Sequence, residues 1–224
     1  MRYFDFLEAQ AASVSDVAVR GAMTRVAKLH REILANTANV RGNKDLSEQG
    51  RTKEARSLLG KKAWELIRAN ATVQRLNARI DEKRAKIQLP AIDKADAAGA
   101  VLRGQVRDRL PKSSKELRTL IPTMSALYLQ TLLEAPELVG ADSETVEVAR
   151  SRAIELVQPG VTAALDAERN AVRLLANATG ELSKAACDLA ELPNTRALTE
   201  FLNQTVPDQR HIEADVERET ALAA

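Results

Sequence analysis

Chemistry in this 224-residue chain would have to begin from very few side chains. His30 and His211 are the only histidines and Cys187 the only cysteine. Zinc and related metals need clustered His, Cys or carboxylate ligands at fixed spacing, and neither histidine stands in a His-x-x-x-His or similar frame. Both are expected at the surface or at helix ends. Nucleophilic catalysis by a Ser/His/Asp or Cys/His set would have to recruit one of them, with no supporting group nearby. Cys187 beside Ala186 fits a small buried side chain, and a lone cysteine permits no intrachain disulfide. Asp81 and Glu82 are adjacent on a helix and so point apart, with Glu82 placed to meet Lys86 four residues on. The nine glycines are scattered and form no phosphate-cradling loop. No catalytic, cofactor or metal site is expected, and the chain reads as a non-enzyme.

Two patterns are better suited to binding. Arg68, Arg75, Arg79, Lys83 and Lys86 recur at three-, four- and seven-residue spacings, which puts several of them on one side of a helix. Such a ridge could neutralise phosphates. No aromatics interleave to stack on bases, and no helix-turn-helix is evident, so the same ridge reads equally as a solvated face or a dock for acidic segments. The second pattern is Tyr3, Phe4, Phe6 and Leu7, which holds three of the chain's six aromatics. Aromatics bury much area with few rotors, so this cluster is either a peg for a partner or a tuck onto the chain's own bundle.

The elements that would carry these residues are set by a heptad apolar repeat. Leu59, Leu66, Val73, Ile80 and Ile87 fall seven residues apart. Val161, Leu165, Val172, Leu175, Leu182, Ala186 and Leu189 follow alternating three and four spacing. Each series forms one helical stripe that must be buried against another helix. Glu168 interrupts the second stripe, and an antiparallel coiled-coil hairpin that sets it against Lys83 would cover most of both. Pairing between subunits is the rival arrangement.

Caps and breakers place the rest. A helix from about Ser15 to Val40 stops at Arg41-Gly42-Asn43. Ser47 opens one predicted to run to about Gln88, with a weak point at Gly60 and an end at Leu89-Pro90. Shorter helices follow over about 92–110, from the Ser113–Glu116 capping box to Ile121, and over 124–134 and 144–157. Val161–Glu191 is the last long helix, and Asn194 or Thr195 caps a shorter one. Trp64, Tyr128 and Phe201 read as core residues. The segment after Pro207 reads as a charged tail, disordered or ordered on a partner.

The fold class is therefore all-α: an elongated helical bundle with two long heptad helices and several short ones. Its expected organisation is a docking segment over 1–12, a bundle over 13–205 and a charged tail over 206–224. Charge divides the bundle further. Residues 1–120 carry 25 Lys and Arg against 14 Asp and Glu, a net of +11, while 121–224 carry 8 against 17, a net of −9. Such a split can hold two halves together, orient assembly, or present a basic face to nucleic acid. No stretch approaches the roughly 20 apolar residues that span a bilayer, and no signal peptide is seen.

Two stretches carry a resemblance: Asp45-Leu46-Ser47-Glu48-Gln49-Gly50-Arg51 and Leu132-Leu133-Glu134-Ala135-Pro136-Glu137-Leu138. With the Ala/Arg/Glu texture around them, they resemble small helical virion structural and assembly proteins of tailed bacteriophages. The resemblance implies a non-enzymatic capsid- or neck-associated component in multiple copies, located in the virion or host cytoplasm. Its partners would be other virion proteins or copies of itself, in a homo- or hetero-oligomer. It implies no site residues. The alternative is a nucleic-acid-associated helical protein that contacts DNA through the basic ridge.

Overall fold

The computed structural model of the chain describes residues 2–87 and 96–222. Among these the chain forms eleven α-helices and no strand, so the expected all-α class is what it adopts. They are α1 (Arg2–Ser13), α2 (Val17–Gly42), α3 (Glu48–Lys61), α4 (Ala63–Lys86), α5 (Ala97–Arg109), α6 (Ser114–Leu120), α7 (Ala126–Glu134), α8 (Ser143–Val157), α9 (Val161–Ala190), α10 (Thr195–Thr205) and α11 (Arg210–Leu222). The helix end read at Leu89-Pro90 and the start read at residue 92 lie outside the described residues.

Local chemistry sets most boundaries. The side chains of Asp16, Ser47, Asp96, Asp142 and Asn194 each accept a hydrogen bond from a backbone N–H three residues on, satisfying a donor that the first turn leaves orphaned. Ser113 is different: it precedes α6 but makes no cap bond. The neighbouring Ser114 hydroxyl instead donates to Gly140 O and accepts from Asp142 N–H, tying α6 to the start of α8. The long helix expected from Ser47 breaks into α3 and α4, and the break falls at Lys62 rather than Gly60. There the backbone leaves the helical region (φ −101°, ψ 0°) while the Lys62 ammonium reaches Glu32 at 2.6 Å and Glu65 at 3.2 Å. At the end of α9, Glu191 takes φ +54° and Leu192 N–H bonds back to Cys187 O, the paired signature of a Schellman turn.

The helices group into two units. The first, Met1–Asp81 with Ala167–Ala224, is discontinuous in sequence; the second is Glu82–Asp166. The expected divisions near residues 12 and 205 do not follow this packing. The first unit's core draws Phe4 and Leu7 from α1, Met23 and Ile33 from α2, Leu59 from α3, Leu66, Leu76 and Ile80 from α4, Val172, Leu175, Leu182 and Leu189 from α9, Leu198 and Leu202 from α10, and Ile212 and Val216 from α11. The heptad stripes are thus covered within one chain by a seven-helix core rather than by a two-helix seam. Val73, Ile87, Val161 and Leu165 are only half-buried. Each fully buried Leu or Ile contributes about 1.5–3 kcal/mol relative to exposure. The segment read as a charged tail is α11, with Ile212 and Val216 in that core.

The second unit has a smaller core of Leu110, Leu117, Ile121, Met124, Leu129, Leu132, Val139, Ala149 and Ala153. A 3-10 turn over Pro136–Val139 ends at Gly140, whose φ of +67° suits glycine; an added Cβ would lie 2.9 Å from Lys112 O.

Candidate functional site

The basic ridge on α4 is where the chain concentrates its charge, and the structure turns that ridge inward. Arg68, Thr72, Arg75 and Arg79 follow one another at three- and four-residue spacing, so they share a face of α4. Thr72 and Arg79 on that face are buried. The Arg79 guanidinium, its side chain 6% exposed, lies 2.7 Å from Glu168 of α9 and also binds the Asp16 carboxylate. Its other terminal nitrogen donates to Thr220 O of α11 at 3.0 Å. Asp16 meanwhile caps α2 through Val19 N–H. One cation therefore joins the start of α2, α9 and the end of α11.

Arg68 and Arg25 take the two carboxylate oxygens of Glu219, Arg25 at 3.1 Å, and Arg75 lies 3.8 Å from Glu217. Three of the five ridge cations thus hold the acidic helix α11. Lys83 is half-buried and Lys86 exposed. Glu168 does act as the polar residue of its stripe; Arg79, one turn before Lys83, is a partner to it. Sequence reading placed the acid and missed this arginine, because a distance of 89 residues carries no local signal.

Beside this hub lies a cleft of about 320 Å³ between α2 and α4. Ala22, Val26, Leu29, Ala69 and Thr72 form its floor, and Arg25, Lys28, Lys62, Arg68, Glu32 and Glu65 ring it. Trp64, the chain's single tryptophan, borders the cleft and is 38% exposed, so it is not the core residue expected. Hydrogen bonding to Lys62 holds the Glu32 carboxyl below its usual range and raises Lys62 in turn.

The N-terminal aromatics are not a free peg. Phe4 and Leu7 are buried in the core, Tyr3 is half-buried and its hydroxyl donates to Leu174 O at 3.3 Å, and only Phe6 is exposed. Phe4 stacks on His30 with ring centroids 3.6 Å apart, and Tyr3 meets Phe4 edge-on. His30 is accordingly a buried residue rather than a surface one. Burial pushes its pKa down, against an opposing pull from Glu181. The Cys187 thiol is buried, as expected, and burial raises its pKa.

The second unit differs on its outside. Val101, Leu102, Leu120, Leu138, Val148, Leu156 and Val157 are all exposed. Among the described residues no three His, Cys, Asp or Glu side chains are placed to hold a metal ion. No helix among them is long and apolar enough to cross a membrane. No family model matches the chain, and no curated protein or solved structure does either.

Proposed function

We propose that the chain is a non-enzymatic helical assembly protein that works by helix-helix docking in multiple copies, with the exposed apolar side chains of the second unit as its contact surface. The observation that carries this reading is the imbalance in exposed apolar side chains. Seven of the eleven large exposed hydrophobics among the described residues fall in the smaller unit, which has the thinner core. Apolar side chains left in water at helix surfaces mark interaction sites when they gather on one part of a molecule. The inward ridge supports docking over nucleic-acid contact, because Arg68, Arg75 and Arg79 already hold Glu217, Glu219, Asp16 and Glu168. On the resemblance carried by 45–51 and 132–138, the assembly is that of a tailed-phage virion, and the chain works in the particle or the host cytoplasm.

Light scattering behind a sizing column, over a concentration series, tests this reading. A mass above the 24.4 kDa of one chain is expected, falling back to one chain in Val101→Glu/Leu102→Glu. A single-chain mass at every concentration overturns self-assembly. A titration against duplex DNA at low salt tests the alternative, which requires binding that weakens steeply as salt rises.

A further inference from the structure

We propose that the cleft between α2 and α4 is a second docking site, one that receives an acidic amphipathic helix from a partner protein. The cleft pairs an apolar floor with a ring of four cations, Arg25, Lys28, Lys62 and Arg68, against Glu32 and Glu65. Glu219 of α11 adds a third carboxylate on Arg25 and Arg68, and Lys62 is shared by Glu32 and Glu65. The rim keeps a net of +1, and Lys28 is its most exposed cation. An amphipathic helix docks by inserting apolar side chains spaced three and four apart into such a floor, while its charges meet the rim. The complementary charge here is negative.

The chain itself shows which chemistry this surface accepts. At one end of the cleft Arg25 and Arg68 grip the Glu219 carboxylate, and Glu219 belongs to α11. That helix sits down with Ile212 and Val216 buried at i and i+4, Glu219 reaching the arginines at i+7, and Thr220 buried at i+8. The cleft prolongs the same surface past the point where α11 grips it. Arg25 and Arg68 line both regions, so the docking face of α11 and the open cleft are continuous. Trp64 supplies the remaining feature of an interface. It is a large, rigid, half-wet aromatic at the edge of an apolar floor, in a chain with only six aromatics. Lys28 extends the cationic rim where no α11 contact exists; its side chain is 76% exposed, and its near neighbour is Glu32 at 4.0 Å.

The test uses the full chain and a synthetic copy of residues 210–222 as the acidic-helix probe, at low salt. Trp64 emission and calorimetry read the binding. The expected result is saturable one-to-one binding that shifts Trp64 emission. A peptide with Gln at 213, 217 and 219 should bind at least tenfold more weakly. Ala69→Phe, which fills the floor, should weaken binding at least tenfold. Lys28→Glu should weaken it by about three- to tenfold, and its exposed position leaves folding intact even if Ala69→Phe does not fold. No heat and no emission change up to millimolar peptide overturns the proposal. So does binding of unchanged strength in Lys28→Glu, because the probe would then occupy the seat of α11 rather than the cleft.

Discussion

The two units solve the same problem, burying one side of each amphipathic helix, in opposite ways. The first gathers 32 buried apolar residues from seven helices into one cluster and brings charges inside with them. The second, among its described residues, gathers nine and leaves seven large apolar side chains in water. Their most buried ion pairs differ in degree. Arg79, Asp16 and Glu168 in the first unit have side chains only 6%, 12% and 13% exposed, whereas in the second Arg103 is 10% exposed but its partner Glu134 is 33% exposed. The first unit is specified by its interior, whereas the second leaves much of its apolar surface in water. A buried cation with several carboxylate partners fixes which helices meet, whereas an exposed pair is screened and fixes little.

The most direct way to break this comparison is to remove the hub. Arg79→Ala takes the buried guanidinium from the half-buried carboxylates of Asp16 and Glu168 and a donor from Thr220 O. The first unit should lose about 3–5 kcal/mol in denaturant unfolding, the size expected when one partner of a buried ionic cluster is deleted. A loss under 1 kcal/mol would mean that apolar packing alone seats α11. Arg79→Met, which keeps the volume of the stem, separates the two: a loss as large as that of Ala assigns the effect to charge.

The second unit should be the weaker under a smaller perturbation. Leu132→Ala removes a fully buried side chain from a cluster of nine and should cost about 2–4 kcal/mol. Followed by Trp64 emission, which reports the first unit, and by helicity, which reports both, this variant should separate unfolding into two steps. Coincident transitions would show that the units fold as one.

Protonation sharpens the contrast. Burial lowers the His30 pKa from its ordinary 6.5, so between the folded and unfolded values the unfolded chain binds more protons. Stability of the first unit should therefore be fully present above about pH 6.5 and fall as pH drops through the window below it. His30→Phe keeps a ring to stack on Phe4 and should flatten that dependence. A melting profile from pH 7.5 to 5.5 that is identical in both chains would place the acid sensitivity elsewhere.

Much of this architecture was legible in the residues. The cap at Ser47, the cap at Asn194 or Thr195, which falls on Asn194, and the stripe of α9 are local patterns that appear where their spacing puts them. Three features were not legible. Among its described side chains α11 buries two aliphatic residues, Ile212 and Val216, and it is also held by Arg25, Arg68, Arg75 and Arg79, more than 140 residues earlier. Phe4 looked available because its partner, His30, lies one helix away. Trp64 looked like core because large aromatics usually are. For α11 and Phe4 a pairing across the chain, rather than a propensity along it, decides the outcome. The charge asymmetry between the halves was the one sequence signal of the α4–α11 contact, and it named neither helix.

The smallest effect expected is also the one that isolates local backbone chemistry from the two-unit contrast. Glu191 ends α9 at φ +54°, a conformation costly for a side-chain-bearing residue, while Leu192 N–H closes the turn onto Cys187 O at 3.0 Å. Its carboxylate accepts a hydrogen bond from the Thr52 hydroxyl at 2.8 Å in an exposed setting, which contributes little net stability. Glycine at this position relieves the strain and keeps the Schellman bonds. Glu191→Gly should stabilise the first unit by about 0.5–1 kcal/mol, after the entropy that glycine adds to the unfolded chain. Thr52→Val, which deletes only the hydroxyl, should be nearly neutral. If Glu191→Gly destabilises and Thr52→Val does so equally, the turn is held by the α3–α9 side-chain bond rather than by its backbone. The first unit would then depend on a surface contact as well as on its interior.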